Sequence, residues 1–255
     1  MSLGFIGGGR IARIFLDAIK PRKGRPQNIV VCDSDPQVRE KLQARFGSVI
    51  SICDDHIAAA GQDVVFVALH PPAIAEVLGK VREHIRQDAV VVSLAPKLTM
   101  ARLSEILGGF KRIVRMLPNA PSAIGRGYNP VCFPDGLSGE EKQRLLVLFG
   151  NFGVSPEVAE SKIEGYAIIT GMGPTYLWFQ LYAMYELGLS FGLTEKELEE
   201  ALPAMVNGTV HTMFSAYSRE EVLDLIPVKP IAEHEEEWVK IYQEKLSALY
   251  NKIKP

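Results

Sequence analysis

Apolar and polar positions along the first part of the chain fall into two alternating rhythms. Runs of Val, Ile, Leu, Phe and Cys at 3–6, 29–32, 64–69, 89–94, 112–116 and 128–133 are nearly unbroken by charge. Between them, at 36–46, 73–85 and 100–107, apolar residues recur every three or four positions. Continuous short runs suit strands buried on both faces, and the recurrence suits helices that cover them. The alternation predicts an α/β fold, a mostly parallel sheet with helices on both sides. After 133 a helix is expected from Ser138, where Glu141 completes a capping box, and a short strand at 154–158 is expected to close the sheet.

Beyond 161 the strand rhythm stops. Thr194 with Glu197 and Ser218 with Glu221 are capping boxes, and 233–253 is a charged amphipathic run. The chain therefore divides by pattern into 1–160, alternating, and 161–255, all helical. Residues 166–191 are apolar for long enough to span a membrane, but the run contains Pro174, Gln180 and Glu186 and has no second such segment beside it. It reads as a helix buried in protein, and a helix apolar nearly all round needs cover on every side. A second copy of the chain is the natural cover, so a homodimer through the helical part is expected.

Composition narrows the classes. Formal charge is −2 with both signs spread along all 255 residues, so no basic face for nucleic acid stands out. The three cysteines, Cys32, Cys53 and Cys132, are widely spaced with no CxxC pair. That predicts small core residues in a reducing compartment, with neither a disulfide framework nor a metal site. No charged-then-apolar leader precedes the first strand, and a cytoplasmic protein is expected.

The chemistry begins at "LGFIGGGRIA", where Gly7, Gly9 and Ala12 form a GxGxxA pattern between an apolar strand and a helix. Gly7 permits the tight turn, Gly9 leaves room for a pyrophosphate, and Ala12 lets helix and strand pack closely. Gly8, Arg10 and Ile11 complete the loop, whose N–H groups at the helix start suit phosphate. Asp33 ends the second strand, where a ribose-binding acid belongs, and Ser34 follows it. The first part is thus expected to be a dinucleotide-binding, doubly wound domain of Rossmann type. In "VCDSDP" two carboxylates and no cation stand where a 2′-phosphate would lie, so NAD(H) is favoured over NADP(H). Lys20, Arg22, Lys23 and Arg25 precede the second strand, at the sheet end away from the coenzyme, and read as a solvated loop.

Three stretches in order, "GFIGGGRIA", "VRMLPNAPSAIGRGY" and "ITGMGPTY", resemble the pyrroline-5-carboxylate reductase family, whose usual patterns are GFIGxGxMA, RxMPNxP and SGSGPAY. The likeness covers about residues 3 to 215, and the middle motif is the specific one. The resemblance implies a Rossmann unit carrying NAD(P)H, a helical dimerisation domain, a substrate lying between them, and hydride delivery to the carbon of a C=N bond. By position it places Pro118 and Asn119 beside the nicotinamide. Val67, Ala68, Leu69, His70 and Pro71 would form the preceding wall. Thr170, Gly171, Met172, Gly173, Pro174, Thr175 and Tyr176 would take a small cyclic imino acid, its carboxylate on helix N–H groups. An iminium is already activated by its proton, so orientation and electrostatics can stand in for a strong general acid. Thr170, Tyr176, His70 and Asn119 are the candidate catalytic groups, and no metal is implied.

Departures from the family pattern lie on the substrate side. The SPGGTT segment is missing, "LIPVKPIAEHEEEW" standing after Asp224, while Met172 replaces the common serine and Thr175 the common alanine. "LAPK" at 94–97 replaces the usual AAG ending. A substrate other than pyrroline-5-carboxylate is therefore expected. Two other readings remain: a dinucleotide-binding sensor without catalysis, and a keto- or hydroxy-acid dehydrogenase. Against a short-chain dehydrogenase stands the position of the YxxxK, Tyr250 to Lys254 at the chain end; against a β-hydroxyacid dehydrogenase, the lack of any lysine between Glu164 and Glu195.

Overall fold

Five of the apolar runs become inner strands with every residue buried, and the reason is visible in what covers them. The computed structural model describes residues 1–21, 26 and 28–255, so the expected loop residues Arg22, Lys23 and Arg25 lie outside the described residues. In chain order the first unit runs β1 (Leu3–Ile6), α1 (Arg10–Ile19), β2 (Ile29–Cys32), α2 (Pro36–Phe46), β3 (Ser51–Cys53), α3 (Ile57–Ala60) and β4 (Val64–Val67). It continues with α4 (Pro71–Val81), β5 (Val90–Ser93), α5 (Met100–Ile106), β6 (Ile113–Met116), β7 (Gly127–Tyr128), β8 (Val131–Cys132), α6 (Gly139–Phe149), β9 (Gly153–Val154) and α7 (Ile163–Tyr166). The sheet order is β3-β2-β1-β4-β5-β6-β8, parallel except for β8. Alternate residues of each strand feed two apolar clusters, one on each face. Phe5, Phe15, Phe66 and Phe152 form the aromatic centre of one face, with Phe15 and Phe152 stacked at 3.9 Å. Gly4 is required in β1 because a Cβ there would run into the Ala59 carbonyl of α3.

Three expectations are corrected. The strand at 154–158 closes the sheet only in part: β9 pairs with β7 in a separate two-stranded ladder, while 156–158 make a single parallel bridge to Val131 of β8, the antiparallel edge strand. The run 128–133 is split between those two sheets by Asn129 and Pro130. A short edge strand, β3, lies in register with β2 and sets Cys53 opposite Cys32, where the two are disulfide-bonded with Cα atoms 4.6 Å apart. Sequence spacing hid the pair because strand register, not separation along the chain, brings them together. The reading of all three cysteines as free core thiols therefore fails for two of them. Cys132 is free and buried, and burial raises its thiol pKa.

The second unit comprises α8 (Gly173–Ser190), α9 (Glu195–Met213), α10 (Arg219–Asp224) and α11 (Glu235–Ile253) up to Ala248, the remainder of α11 grouping with the first unit. Its packing boundary at 173 falls later than the change of pattern at 161, because Glu160 and Glu164 are tied to Arg115 of β6. The capping boxes at Thr194 and Ser218 form as expected. Within this unit only Gly188 and Leu198 are buried, while Leu177, Trp178, Phe179, Tyr182 and Phe191 stand open. No helix among the described residues is long and apolar enough to cross a membrane.

The capping box of α6 gives a pH prediction. Glu141 accepts from Ser138 and from Arg112, and Arg112 holds its pKa down to about 2. A depressed folded-state pKa means that the contribution is complete above the ordinary value of 4.5 and is lost as pH falls towards about 2. Glu141→Gln is expected to flatten the acid limb of a stability-against-pH curve within that window. An unchanged limb would show that the pair contributes nothing.

Candidate active site

The glycine loop is built for close approach. Gly7 follows β1 with φ of +98°, and a Cβ there would stand 2.8 Å from the Ala68 carbonyl oxygen and 2.9 Å from Leu69. Gly8 is closed in by Leu42, 2.5 Å from a built Cβ, and its N–H donates to Asp33 Oδ2 at 2.8 Å. Gly9 differs from both. It is the N-cap of α1 with ordinary extended geometry, and a Cβ there would meet nothing within 4 Å. Neither a capping side chain nor an acid in the first turn competes for the N–H groups of Arg10 and Ile11. The loop thus offers open space in front of main-chain donors at the positive end of a helix, which fits a diphosphate.

Asp33 braces this loop. Its Oδ2 takes the Gly8 N–H and its Oδ1 the Asp35 N–H at 2.9 Å, so the acid expected at the ribose also shapes the phosphate cradle. Arg39 of α2 donates to the main-chain oxygens of Asp33 and Ser34 at 2.8 and 2.9 Å. The expectation of no cation here is corrected: α2 turns Arg39 back over the end of β2, which the linear order concealed. Lys20 is tied to the Arg45 carbonyl at 2.8 Å. On the next strand Ala68 donates to Ile6, Ala68 and Leu69 press on Gly7, exposed His70 is the N-cap of α4 without a side-chain cap bond, and Pro71 starts that helix.

At the end of β6 the "LPNAP" segment is locked by amides. Pro118 is buried, and Asn119 is 8% exposed with its side-chain nitrogen on the Thr170 carbonyl at 3.3 Å and its oxygen accepting from Tyr128 N–H at 3.2 Å. Ser122 donates to Asn129 at 2.6 Å and Asn129 accepts the Asn119 N–H. Asn119 is therefore a clamp between β6 and residue 170, its hydrogen-bonding capacity largely used by the protein. The turn that follows it, 120–124, packs on α1.

Sequence reasoning missed what holds this arrangement from below. Arg115 of β6 is 1% exposed and donates to Glu164 at 2.5 Å and to Glu160 at 3.1 Å. Glu164 also receives the N–H of Lys97, whose φ of 77° is the left-handed exception among non-glycine described residues, and Glu160 receives the Met100 N–H. The "LAPK" loop, β6 and α7 are thereby pinned together. The signal was present as a lone arginine in an apolar strand and an acid at the head of an apolar run.

After α7 the helix widens into a π turn, Ala167–Gly171, bends at Met172 and resumes as α8 at Gly173. The Met172 N–H is bound to the Ala167 carbonyl at 3.0 Å, and Thr170 Oγ1 donates back to Tyr166. The expected helix start is thus approached from an existing helical turn, and single π turns of this kind cluster at functional sites. Gly171 packs on Leu117 without a clash. In the second unit Gly173, Pro174 and Thr175 open α8, and Tyr176 lies 6.0 Å from the ring of Tyr242, its hydroxyl pKa raised by burial and then by that neighbour.

A sequence model described as NADP oxidoreductase, coenzyme F420-dependent, matches residues 2–97. The chain is 28% identical over 215 residues to pyrroline-5-carboxylate reductase of Corynebacterium melassecola, covering 83% of this chain and 79% of that one. It is 26% identical over 208 residues to the Escherichia coli K12 reductase, covering 81% and 77%. The chain is similar to pyrroline-5-carboxylate reductases over about four fifths of its length. The fold agrees. The crystal structure of Plasmodium falciparum pyrroline carboxylate reductase with NADP bound superposes with a TM-score of 0.83 at 19% identity, over 100% of this chain and 97% of that one. The Coxiella burnetii reductase gives 0.69 at 24%, over 99% and 94%. These similarities support an oxidoreductase, and the cradle around Gly9 fits a nicotinamide dinucleotide.

Proposed function

We propose that the protein reduces the C=N bond of a small, cyclic imino acid, hydride passing from the nicotinamide to carbon while nitrogen keeps the proton of the iminium. The observation that carries this reading is the open cradle at Gly9 beside Asp33, in a chain whose relatives are named pyrroline-5-carboxylate reductases. Gly7, Gly8, Gly9, Arg10 and Ile11 hold the diphosphate, Asp33 and Ser34 the adenosine ribose, and Ala68, Leu69, Pro71 and Pro118 flank the coenzyme. Asn119 positions residue 170. Thr170 and Tyr176 contact the substrate with Gly171, Met172, Gly173, Pro174 and Thr175, and His70, solvent-facing at a helix start, relays protons. Tyr176 stays protonated because burial raises its pKa, so it serves as a donor.

Met172 and Thr175, larger than the family's usual residues, support a substrate other than pyrroline-5-carboxylate. Turnover measured across pyrroline-5-carboxylate, piperideine carboxylates and small keto acids tests this. Reduction of a piperideine carboxylate or a larger imine is expected. Efficient reduction of pyrroline-5-carboxylate overturns the altered substrate, and turnover of keto acids alone overturns the imine.

We also propose NAD(H) as the favoured coenzyme, because the Asp33 carboxylate and Asp35 outweigh the cation Arg39, which is bound to main-chain oxygens. Removing one carboxylate charge near a 2′-phosphate is worth about 1.4 kcal/mol after screening, or about tenfold. Asp33→Asn is thus expected to move the ratio of NADPH to NADH affinity about tenfold towards NADPH; a ratio that stays put removes Asp33 from discrimination.

The same reading includes a homodimer through the helical unit. A unit with two buried residues and a row of open aromatics on α8 does not hold itself together in water, and a second copy supplies the missing cover. Sedimentation is expected to give a dimer at micromolar concentration, and a monodisperse monomer would contradict it.

A further inference from the structure

Oxidation state and coenzyme site meet at the sheet edge. Cys32 and Cys53 face each other across β2 and β3, the residues immediately before Asp33 and Asp54. Cys32 is fully buried, whereas Cys53 is half-buried and lines a surface groove of about 390 Å³ with Arg39, Glu40, Gln43, Ile52 and Asp54. A small thiol or disulfide therefore reaches Cys53 and not Cys32. β3 has only three residues, none buried, and it forms the outer edge of the sheet, held on one side alone by its ladder to β2 and by the covalent bridge.

Both cysteines are connected by hydrogen bonds to the phosphate cradle. The Cys53 carbonyl accepts the Asp33 N–H at 3.0 Å, and the Cys32 carbonyl accepts the Gly7 N–H at 2.8 Å. Asp33 in turn holds the Gly8 N–H through Oδ2. A movement of β3 is thus transmitted in two hydrogen bonds to the acid that braces the glycine loop.

We propose that Cys32–Cys53 is a reversible redox site whose reduction loosens the coenzyme cradle, so that the oxidised protein binds the dinucleotide more tightly. This rests on the dinucleotide reading above. In oxidation the Cys53 thiolate attacks a low-molecular-mass disulfide such as oxidised glutathione, releasing one thiol. Cys32 then displaces the second, so two protons and two electrons leave the protein and one external S–S bond is exchanged for the internal one.

The test uses the full-length protein equilibrated with oxidised or reduced glutathione. Thiol titration under denaturing conditions is expected to count one thiol, Cys132, after oxidation and three after reduction. Titration with NADH, and separately NADPH, is expected to show about three- to tenfold weaker binding to the reduced protein, with a lower Tm in the absence of coenzyme. Cys53→Ser is expected to match the reduced protein in both treatments. Three thiols after oxidation would overturn the bridge. A verified bridge with coenzyme affinities equal within twofold would overturn the coupling. No coenzyme binding in either state would overturn the coenzyme reading and the coupling together, while the thiol count would still report the bridge.

Discussion

Gly9→Val is expected to fold, to melt no more than roughly 2–4 °C below the parent protein, and to bind coenzyme at least 100-fold more weakly. Folding is spared because Gly9 has backbone angles open to any residue and a Cβ there meets no protein atom within 4 Å. Valine is a poorer helix N-cap than glycine, which costs about 1 kcal/mol of stability and leaves the fold intact. Binding is lost because the same space is where the diphosphate must approach the N–H groups of Arg10 and Ile11, and a branched side chain both fills it and screens the donors. A 100-fold loss corresponds to ~2.7 kcal/mol, in the range of two or three charge-assisted hydrogen bonds given up. Gly7→Ala behaves in the opposite way. At φ of +98°, with the Ala68 carbonyl 2.8 Å from the new Cβ, it is expected to destabilise the fold itself by ~1–3 kcal/mol. Coenzyme titration and thermal melts of the two variants separate space reserved for a ligand from space required by the fold. Retained affinity in Gly9→Val would remove the diphosphate from this loop.

Arg115→Met is expected to produce the largest loss of stability. The guanidinium is 1% exposed and Glu164 2%, so removing the cation leaves a carboxylate buried beside an apolar strand. Breaking one side of such a pair costs ~3–5 kcal/mol, largely the penalty of the charge left behind. The double variant Arg115→Met with Glu164→Leu is expected to recover most of that loss, because the pair as a whole contributes much less than either half alone requires. The Lys97 N–H would then lose its acceptor, and its left-handed backbone is expected to relax. Chemical denaturation of the two variants at one protein concentration measures both quantities. An Arg115→Met variant within 1 kcal/mol of the parent would show that the network does not hold β6, α7 and the 94–97 loop together.

Much of the fold was legible because its signals are local. β1 and β2 coincide with apolar runs of four residues, α2 was legible to its ends from Pro36 and its apolar spacing, and three capping boxes set three helix starts. The glycine loop was legible for the same reason, since its turn, approach and packing requirements fall on neighbouring residues. What escaped depends on register and on partners distant in sequence. β3 is three half-exposed residues whose strand character comes from lying against β2, and the Cys32–Cys53 bridge came with it. Arg39 entered the coenzyme end only by the geometry of α2. The resemblance placed Asn119 beside the nicotinamide, but the clamp it forms was not legible, because its partner, the Thr170 carbonyl, is 51 residues away. The apolar run at 166–191 carried the signal of a buried helix, yet Leu177, Trp178, Phe179, Tyr182 and Phe191 stand open in the single chain.

The central claim, a hydride carried to the carbon of a C=N bond from the nicotinamide of a coenzyme whose diphosphate rests on Gly7–Gly9, is tested most directly by isotope transfer. Coenzyme deuterated at one face of C4 is incubated with the protein and each cyclic imino acid, and the product is analysed by mass spectrometry. One deuterium on the former imine carbon, with one equivalent of oxidised coenzyme formed and no transfer by Gly9→Val, is the result predicted. Coenzyme that binds but is never oxidised by any imine, or label that appears only in a hydroxy acid, would contradict it.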